Sequence, residues 1–497
     1  MKRDRDINDL LPYLFPDDIV LSVTYPELQV PKTLMDAGEA LMQIARSPSL
    51  EEIGEHGPPV AAVATKENED VPSLNLFEAL FGRDSLIVSR FVLPQFPKLA
   101  RATILALAKL QGVRVDNIAE EEPGRIMHEH REEGDAIGVE LREERAWSFP
   151  YYGSVDATPL FIILLTEYIA QEGQAIFEET YLDRDGTVKT VRDAYDRAVA
   201  WIVERTERNP EGFLEFCRVN QSGIENQVWK DSYDSYCHDN GDLANHEKGI
   251  ASVEVQGYAY DALLDAADLY ELHKQSQVGT GRYTSEHISS LRKKAATLRE
   301  NTLLYMWIED ERGGYFALGT DRGVGGELRT LKVRTSNMGH ILSSRMLSND
   351  DPKAVAMCQK IVATLTSDEM QNSGGIRTLS KKELRFTPGA YHNGSVWLWD
   401  TYICARGMRM RGFSEEADIL ESKILASVEA TKKYPEFVRG SDTATPEISI
   451  RVVDIRRTRD NWDNRIEQPP QEVQAWTVAS VLAIHHRRQS MGQKRGT

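Results

Sequence analysis

Apolar residues recur along this chain at spacings of three and four from Lys32 almost to its end. In the segment 32–46, Leu34, Met35, Ala37, Leu41, Met42 and Ile44 fall close to one stripe of period 3.6, the mark of an amphipathic helix. The same period predicts helices over 83–94, 97–111, 156–171, 189–206, 253–272, 284–307, 333–347, 352–367, 393–411, 414–430 and 471–486, which makes twelve with the first. Two carry start signals. Asp156 precedes Ala-Thr-Pro, and Ser348-Asn349-Asp350-Asp351 precedes Pro352, so a side-chain oxygen can accept from the first free N–H groups and proline suits the first turn. Alternation of period two is confined to short runs such as Gly314–Ala317 and Ile448–Val453, as in hairpins within connections.

Twelve helices without long strands leave an all-α toroid of six hairpins or an α-solenoid. A solenoid would repeat itself every 30–50 residues or so, and no such self-similarity is present. The stretches 112–155, 207–252 and 432–470 are too rich in Trp, Tyr, His, Gly and carboxylates for disorder, so they are expected to wall a site. Residues 1–80 are expected to be a lead-in segment with the first helix packed on a barrel of 81–490. Within this, 47–72 reads as a loose lead-in, and the run of Glu, Arg and His over 120–135 reads as a solvated face.

The chain has 59 Lys+Arg against 77 Asp+Glu, a net charge of −18 that would repel nucleic acid. Met1-Lys2-Arg3-Asp4 has no apolar stretch behind it, so no secretory signal is expected. The most apolar run, Leu160–Leu165, is too short to cross a bilayer. Cys217, Cys237, Cys358 and Cys404 lie far apart, neither a zinc cluster nor a disulfide framework. The expected location is the cytoplasm. Nothing in the pattern sets an oligomeric state.

Four constellations can carry chemistry. The first, Ser222 to Asp234, puts Glu225, Trp229, Lys230, Asp231 and Asp234 on one predicted loop. Trp229 could stack on a sugar ring, and a carboxyl beside it would be pushed toward its protonated form, as a general acid requires. A turn with a buried Trp and exposed acids fits the same residues. In the second, Tyr434 to Gly440, Glu436 could stay ionised by pairing with Arg439 or nearby donors and activate water, or form a structural salt bridge. The third, Tyr391 to Asp400, places His392, Asn393, Trp397 and Trp399 at a helix start, suited to hydroxyls or simply to packing. The fourth, Phe81 to Leu86, offers adjacent Arg83 and Asp84, a clamp for hydroxyls or an N-cap. His128-Glu129-His130 lacks the spacing of a zinc helix and reads as a polar turn.

Taken in order, Phe81-Gly-Arg83-Asp84-Ser-Leu, Gly153-Ser-Val-Asp156-Ala-Thr, Trp229-Lys-Asp231, Val253-Glu254-Val-Gln256-Gly257-Tyr, Tyr391-His392-Asn393-Gly-Ser-Val-Trp397, Glu436-Phe-Val-Arg-Gly440 and Gln474-Ala-Trp476-Thr-Val-Ala resemble the amylo-1,6-glucosidase domain of glycogen debranching enzymes. That domain belongs with the six-hairpin glycosidases, and the resemblance spans roughly 81–487. It implies an (α/α)6 barrel with long loops forming the active-site end, and an inverting hydrolase that releases a terminal α-linked sugar, with glucose expected. Asp231 would be the general acid and Glu436 the base. Arg83, Asp84, Asp156, Trp229, Lys230, His392, Asn393 and Trp397 would hold the substrate, and Glu225 would be both a substrate contact and the reserve acid. No metal or organic cofactor is implied, and carbohydrate is the expected partner, without nucleic acid or membrane.

Two features depart from the family. Lys230 stands where the debranching sequence has an uncharged residue, and residues 1–80 are too short for the β-sandwich or transferase domain that accompanies related chains. An oligosaccharide end or a small glycoside therefore fits as well as a glycogen branch stub. Two other functions remain open on the residues alone. One is a sugar isomerase, epimerase or lyase using His340, His392 or Tyr391 as proton shuttles; the other is a catalytically silent glycan-binding protein.

Overall fold

The computed structural model describes residues 32–45, 59–62, 77, 79–275, 283–449 and 469–495. Among these residues there are thirteen α-helices: α1 (Lys32–Ile44), α2 (Gly82–Val92), α3 (Pro97–Lys109), α4 (Ala136–Arg145), α5 (Ala157–Glu172), α6 (Val191–Thr206), α7 (Val253–Gln275), α8 (Ser285–Met306), α9 (Asn337–Ile341), α10 (Pro352–Leu365), α11 (Leu398–Met410), α12 (Ser414–Thr431) and α13 (Ala475–Arg495). All twelve predicted segments carry a helix. The unpredicted one, α4, lies in the 112–155 stretch, and only Ile137 and Gly138 of it are buried, so it has almost no apolar stripe to read.

Alternate helices form two concentric rings. α2, α5, α7, α9, α11 and α13 touch in that order, and α13 returns to α2, closing the inner ring. α3, α6, α8, α10 and α12 each pack outside the inner helix that precedes them, and α1 packs on α13, which completes six hairpins. The chain is an (α/α)6 barrel. Burial follows the ring. Every residue from Ala157 to Leu165 of α5 is buried, as expected of a helix apolar on all sides. Outer α8 buries a single stripe, Ile288, Leu291, Ala295, Leu298, Thr302 and Met306. One continuous apolar cluster runs through all six hairpins.

Local chemistry sets some of the helix starts. Asp351 caps α10, accepting from the Lys353 N–H at 3.0 Å, with Pro352 at the first position. Thr190 and Asp193 close a reciprocal capping box on α6. Asp156 precedes α5 but does not cap it with its side chain. α9 is much shorter than the predicted 333–347. After Ile341 the chain continues in tight turns, with N–H groups of residues 342–344 bonding three residues back. Its close neighbour is α11: a Cβ on Gly339 would lie 2.2 Å from Cys404 Sγ, and one on Gly407 2.6 Å from Leu342 Cβ.

Strands are short and serve the loops. Leu80–Phe81 pairs with Glu129–His130, and Val396–Trp397 with Phe437–Val438, both antiparallel. The predicted strand near 314–317 is the second arm of the hairpin Trp307–Asp310 with Gly313–Phe316, whereas 450–453 of the predicted 448–453 strand lie outside the described residues. The expected solvated face at 120–135 is corrected: Glu120, Glu121, Arg125, His128, Glu129 and Arg131 are buried. Their charges are satisfied internally, as with Arg125, which donates to the Glu120 and Ser154 carbonyls and to Gln227 Oε1. Among the described residues, no helix is long and apolar enough to cross a membrane.

The α9–α11 contact leaves no space for a methyl group. Gly407→Ala is expected to destabilise the barrel by about 1–3 kcal/mol through overpacking, read as a lower urea midpoint; an unchanged midpoint would show that the two helices can separate freely.

Candidate active site

The segments that precede the inner helices converge at one end of the barrel around a cavity open to solvent. Its wall contains Arg83, Asp84, His128, Trp229, Asp231, Tyr391, His392, Trp397, Glu436 and Trp476, with Phe77, Phe81 and Gln474 completing it. Four widely separated constellations of the sequence thus meet in one place.

Arg83 and Asp84 open α2. Gly82 lets them approach, because its N–H bonds the His128 carbonyl at 2.8 Å and a Cβ there would come 2.1 Å from the Met127 carbonyl oxygen. Buried Arg83 donates Nε to Asp156 Oδ2 at 2.7 Å, and its Nη1 lies 3.6 Å from Asp231 Oδ2. Asp156 also accepts from Ser154 Oγ at 2.5 Å, so its carboxylate holds Arg83, and the first N–H of α5, on Ala157, turns instead to Ser154 Oγ at 3.4 Å.

The aromatic wall is interlocked. Trp229 stacks on His340 at 5.9 Å and meets Trp399 and His392 edge-on, while His392 stacks on Trp397 at 5.1 Å. The Ser232 backbone N–H donates to His392 Nδ1 at 3.3 Å, which puts the ring proton on Nε2. Burial holds the His128 and His392 pKa values well below the usual histidine range, so both rings are neutral.

Glu436 stands just before the strand 437–438. Its carboxylate accepts from the Tyr391 hydroxyl and from the Gln471 backbone N–H at 3.2 Å. The expected pairing with Arg439 is corrected: Arg439 turns to Glu447, at 3.1 Å. Burial pushes Glu436 up to about 7, against the lowering effect of the Tyr391 bond. Asp231 keeps 30% of its side chain exposed but is pushed up to about 6, with Arg83 opposing the desolvation. Asp84, desolvated beside Asp231 and relieved in part by Arg83, rises to about 7. The cavity wall holds three carboxyls and a single guanidinium already committed to Asp156, so near neutral pH the carboxyls cannot all ionise.

Several polar atoms on the wall have no protein partner: Arg83 Nη2, Trp229 Nε1, His392 Nε2, Trp476 Nε1 and His128 Nδ1. A buried group of this kind left unpaired costs on the order of 1–3 kcal/mol, so each needs a water or a ligand as partner. Donors set beside three carboxyls form a lining complementary to a molecule dense in hydroxyls.

Of the predicted site residues, Arg83, Asp84, Trp229, Asp231, His392, Trp397 and Glu436 line the cavity, and four do not. Asp156 stands behind Arg83. Glu225, the reserve acid, pairs with Arg218 at 2.8 Å. Asn393 donates Nδ2 to the Asp234 carbonyl at 3.0 Å. Lys230 points away into the core, donating Nζ to the Thr378 carbonyl at 3.0 Å, and desolvation brings its pKa down to about 8. His128, read as part of a polar turn, is in the wall; no local pattern marks it, because its place depends on the pairing of 129–130 with 80–81. Tyr391, considered only as a proton shuttle, instead grips Glu436. His340 is absent from the wall and is held between Tyr258 and Asp400.

Residues 165–439, more than half of the chain and spanning both Asp231 and Glu436, match the model of the mannosylglycerate hydrolase MGH1-like glycoside hydrolase domain. The chain belongs to this MGH1-like family. It is therefore a six-hairpin glycoside hydrolase, and the family model that matches is not that of the amylo-1,6-glucosidases. Similar solved structures include the GH63 mannosylglycerate hydrolase from Thermus thermophilus in complex with glucose, at 14% identity and TM-score 0.54 over 90% of this chain and 98% of that one. The same enzyme in complex with Tris aligns at 14% identity and TM-score 0.51 over the same shares. At this identity the likeness concerns the fold. No curated protein sequence matches this chain.

The crowded carboxyls predict a pH dependence. Asp84 has an ordinary value near 3.8 and stands near 7 when folded, so the unfolded chain ionises it first and the folded state is increasingly penalised as pH rises between those values. Asp84→Asn should therefore melt at a higher temperature than the native protein at pH 8, with the gain shrinking as pH falls toward 4. A gain that grows toward acid pH would contradict the assignment.

Proposed function

We infer that this member of the MGH1-like family is an inverting exo-glycosidase that releases one terminal α-linked hexose from a small glycoside. The observation carrying this reading is the meeting of Asp231 and Glu436, from separate loops, in one cavity lined with unsatisfied donors. In the proposed mechanism Asp231 protonates the glycosidic oxygen and Glu436 removes a proton from the water that attacks the anomeric carbon. Tyr391 and the Gln471 N–H fix the orientation of Glu436, as a base aimed at one water requires. Burial raises both carboxyls, Asp231 to about 6 and Glu436 to about 7, so the two share protons as a coupled set near neutral pH and the assignment of Asp231 as donor follows the sequence resemblance. The adjoining Arg83 steadies the carboxylate left behind.

The substrate class follows from kinship. The similar solved enzymes are named for mannosylglycerate, a small glycoside. Mannose thus joins glucose as the sugar to test, and a glycogen branch stub becomes the less favoured substrate. The proposed setting is the cytoplasm, with carbohydrate as the partner.

The test is a panel of small α-mannosides and α-glucosides, with isomaltose-type and branched oligosaccharides alongside, followed by proton NMR of the newly released sugar. The expected first product is the β-anomer from an α-glycoside, because a water placed between acid and base attacks from the opposite face. An initial α-anomer would overturn inversion. Asp231→Asn and Glu436→Gln should each lower kcat by about 10²–10⁴-fold with the fold intact by circular dichroism; near-native turnover in either would remove that residue from its role.

A further inference from the structure

Two buried cations that take no part in the cavity wall meet on one dipeptide. Lys230, next to Asp231, donates Nζ to the Thr378 carbonyl at 3.0 Å. Arg377, immediately before Thr378, donates Nε to the Gly440 carbonyl at 2.6 Å, just beyond the strand that follows Glu436. Its Nη1 also donates to the Asp368 and Gln371 carbonyls at 3.0 and 2.8 Å, in the loop that follows α10, and its Nη2 pairs with Asp442. Thr378 makes a third tie: its Oγ1 donates to the Ser395 carbonyl at 2.9 Å and accepts from the Gly394 N–H at 3.0 Å. The segments bearing Asp231, Glu436 and the His392–Trp397 wall are thus all bonded to Arg377-Thr378.

Fully burying Lys230 is costly, because among the described residues no carboxylate pairs with it, whereas the charge of Arg377 is met by Asp442. An apolar chain could fill the space of Lys230 without that cost, so the charge is informative. An ammonium bonded to a carbonyl is a charge-assisted link stronger than a neutral one, and it fixes the main chain one residue from a carboxyl whose placement matters to about 1 Å.

We propose that Arg377-Thr378 is a strut that sets the separation between Asp231 and Glu436, with Lys230 and Arg377 as positioning residues at its two ends. The proposal rests on the reading of those carboxyls as acid and base. It gives Lys230, the residue that departs from the debranching sequence, a role behind the acid rather than on the substrate.

The test uses two substrates of whichever hexose the native protein accepts: the methyl α-glycoside, whose alkoxide must be protonated as it leaves, and the α-glycosyl fluoride, whose fluoride needs no proton. Both consume water through Glu436. Lys230→Met is expected to lower kcat on the methyl glycoside by about 10–100-fold while KM and turnover of the fluoride change little, the signature of a misplaced acid. Arg377→Lys, which keeps the charge but loses the Nε–H that holds the Gly440 carbonyl, should slow both substrates alike.

Should Lys230→Met fail to fold, Ser235→Ala, which removes the hydroxyl bonded to the Lys230 carbonyl, is expected to give the same split in milder form. Equal losses on both substrates in the Lys230 or Ser235 variants, or no loss in either, would overturn the strut. Asp231→Asn separates the two ideas. If it is inactive on the methyl glycoside and the split is absent, only the strut falls; if it stays active, the acid assignment falls and the strut with it.

Discussion

The end of the barrel is organised by a charge imbalance. Three carboxyls, Asp84, Asp231 and Glu436, are gathered around one cavity whose wall holds one guanidinium, itself held by Asp156. In water these acids would be ionised and apart. Brought together and desolvated, they are driven toward neutrality, and Arg83 relieves only part of the penalty. The site trades stability for carboxyls that hold protons near neutral pH.

The architecture makes this crowding possible. Arg83 and Asp84 open α2, Asp156 precedes α5, Trp397 precedes α11, and Trp476 opens α13. The N-terminal ends of the inner helices therefore gather at the site, and their unpaired N–H groups lend positive potential to a cavity rich in acids. Outer helices bury one stripe and carry no cavity residue, so the site belongs to the inner ring and the loops that feed it. The short strand pairs add reach, tying 129–130 to the start of α2 and 437–438 to the segment before α11.

Membership of the MGH1-like family and the barrel agree with each other, yet most named interactions around the cavity are contacts between distant segments. Tyr391 on Glu436 and Asp156 on Arg83 each join parts of the chain brought together by ring closure. Such bonds restrict the carboxyls more firmly than their own loops could, since a loop residue without an anchor keeps its rotamers and loses its aim.

The sequence alone determined the twelve barrel helices, because a 3.6-residue stripe, a cap at Asp351 or a proline at 352 acts within a few residues. It also disclosed the acidic and aromatic constellations around Asp231, His392 and Glu436, whose composition is unusual wherever they sit. Only the tertiary structure decided which groups face one another. Glu436 leans on Tyr391 rather than Arg439, His128 enters the wall, and Lys230 and Glu225 leave it. α4 and the truncated α9 also escaped the pattern, the first for lack of a buried face and the second because the chain tightens into three-residue turns after Ile341. The physical reason is common to all of these: burial, desolvation and partner choice depend on what ring closure brings near, and periodicity along one helix carries no record of the neighbour across the barrel.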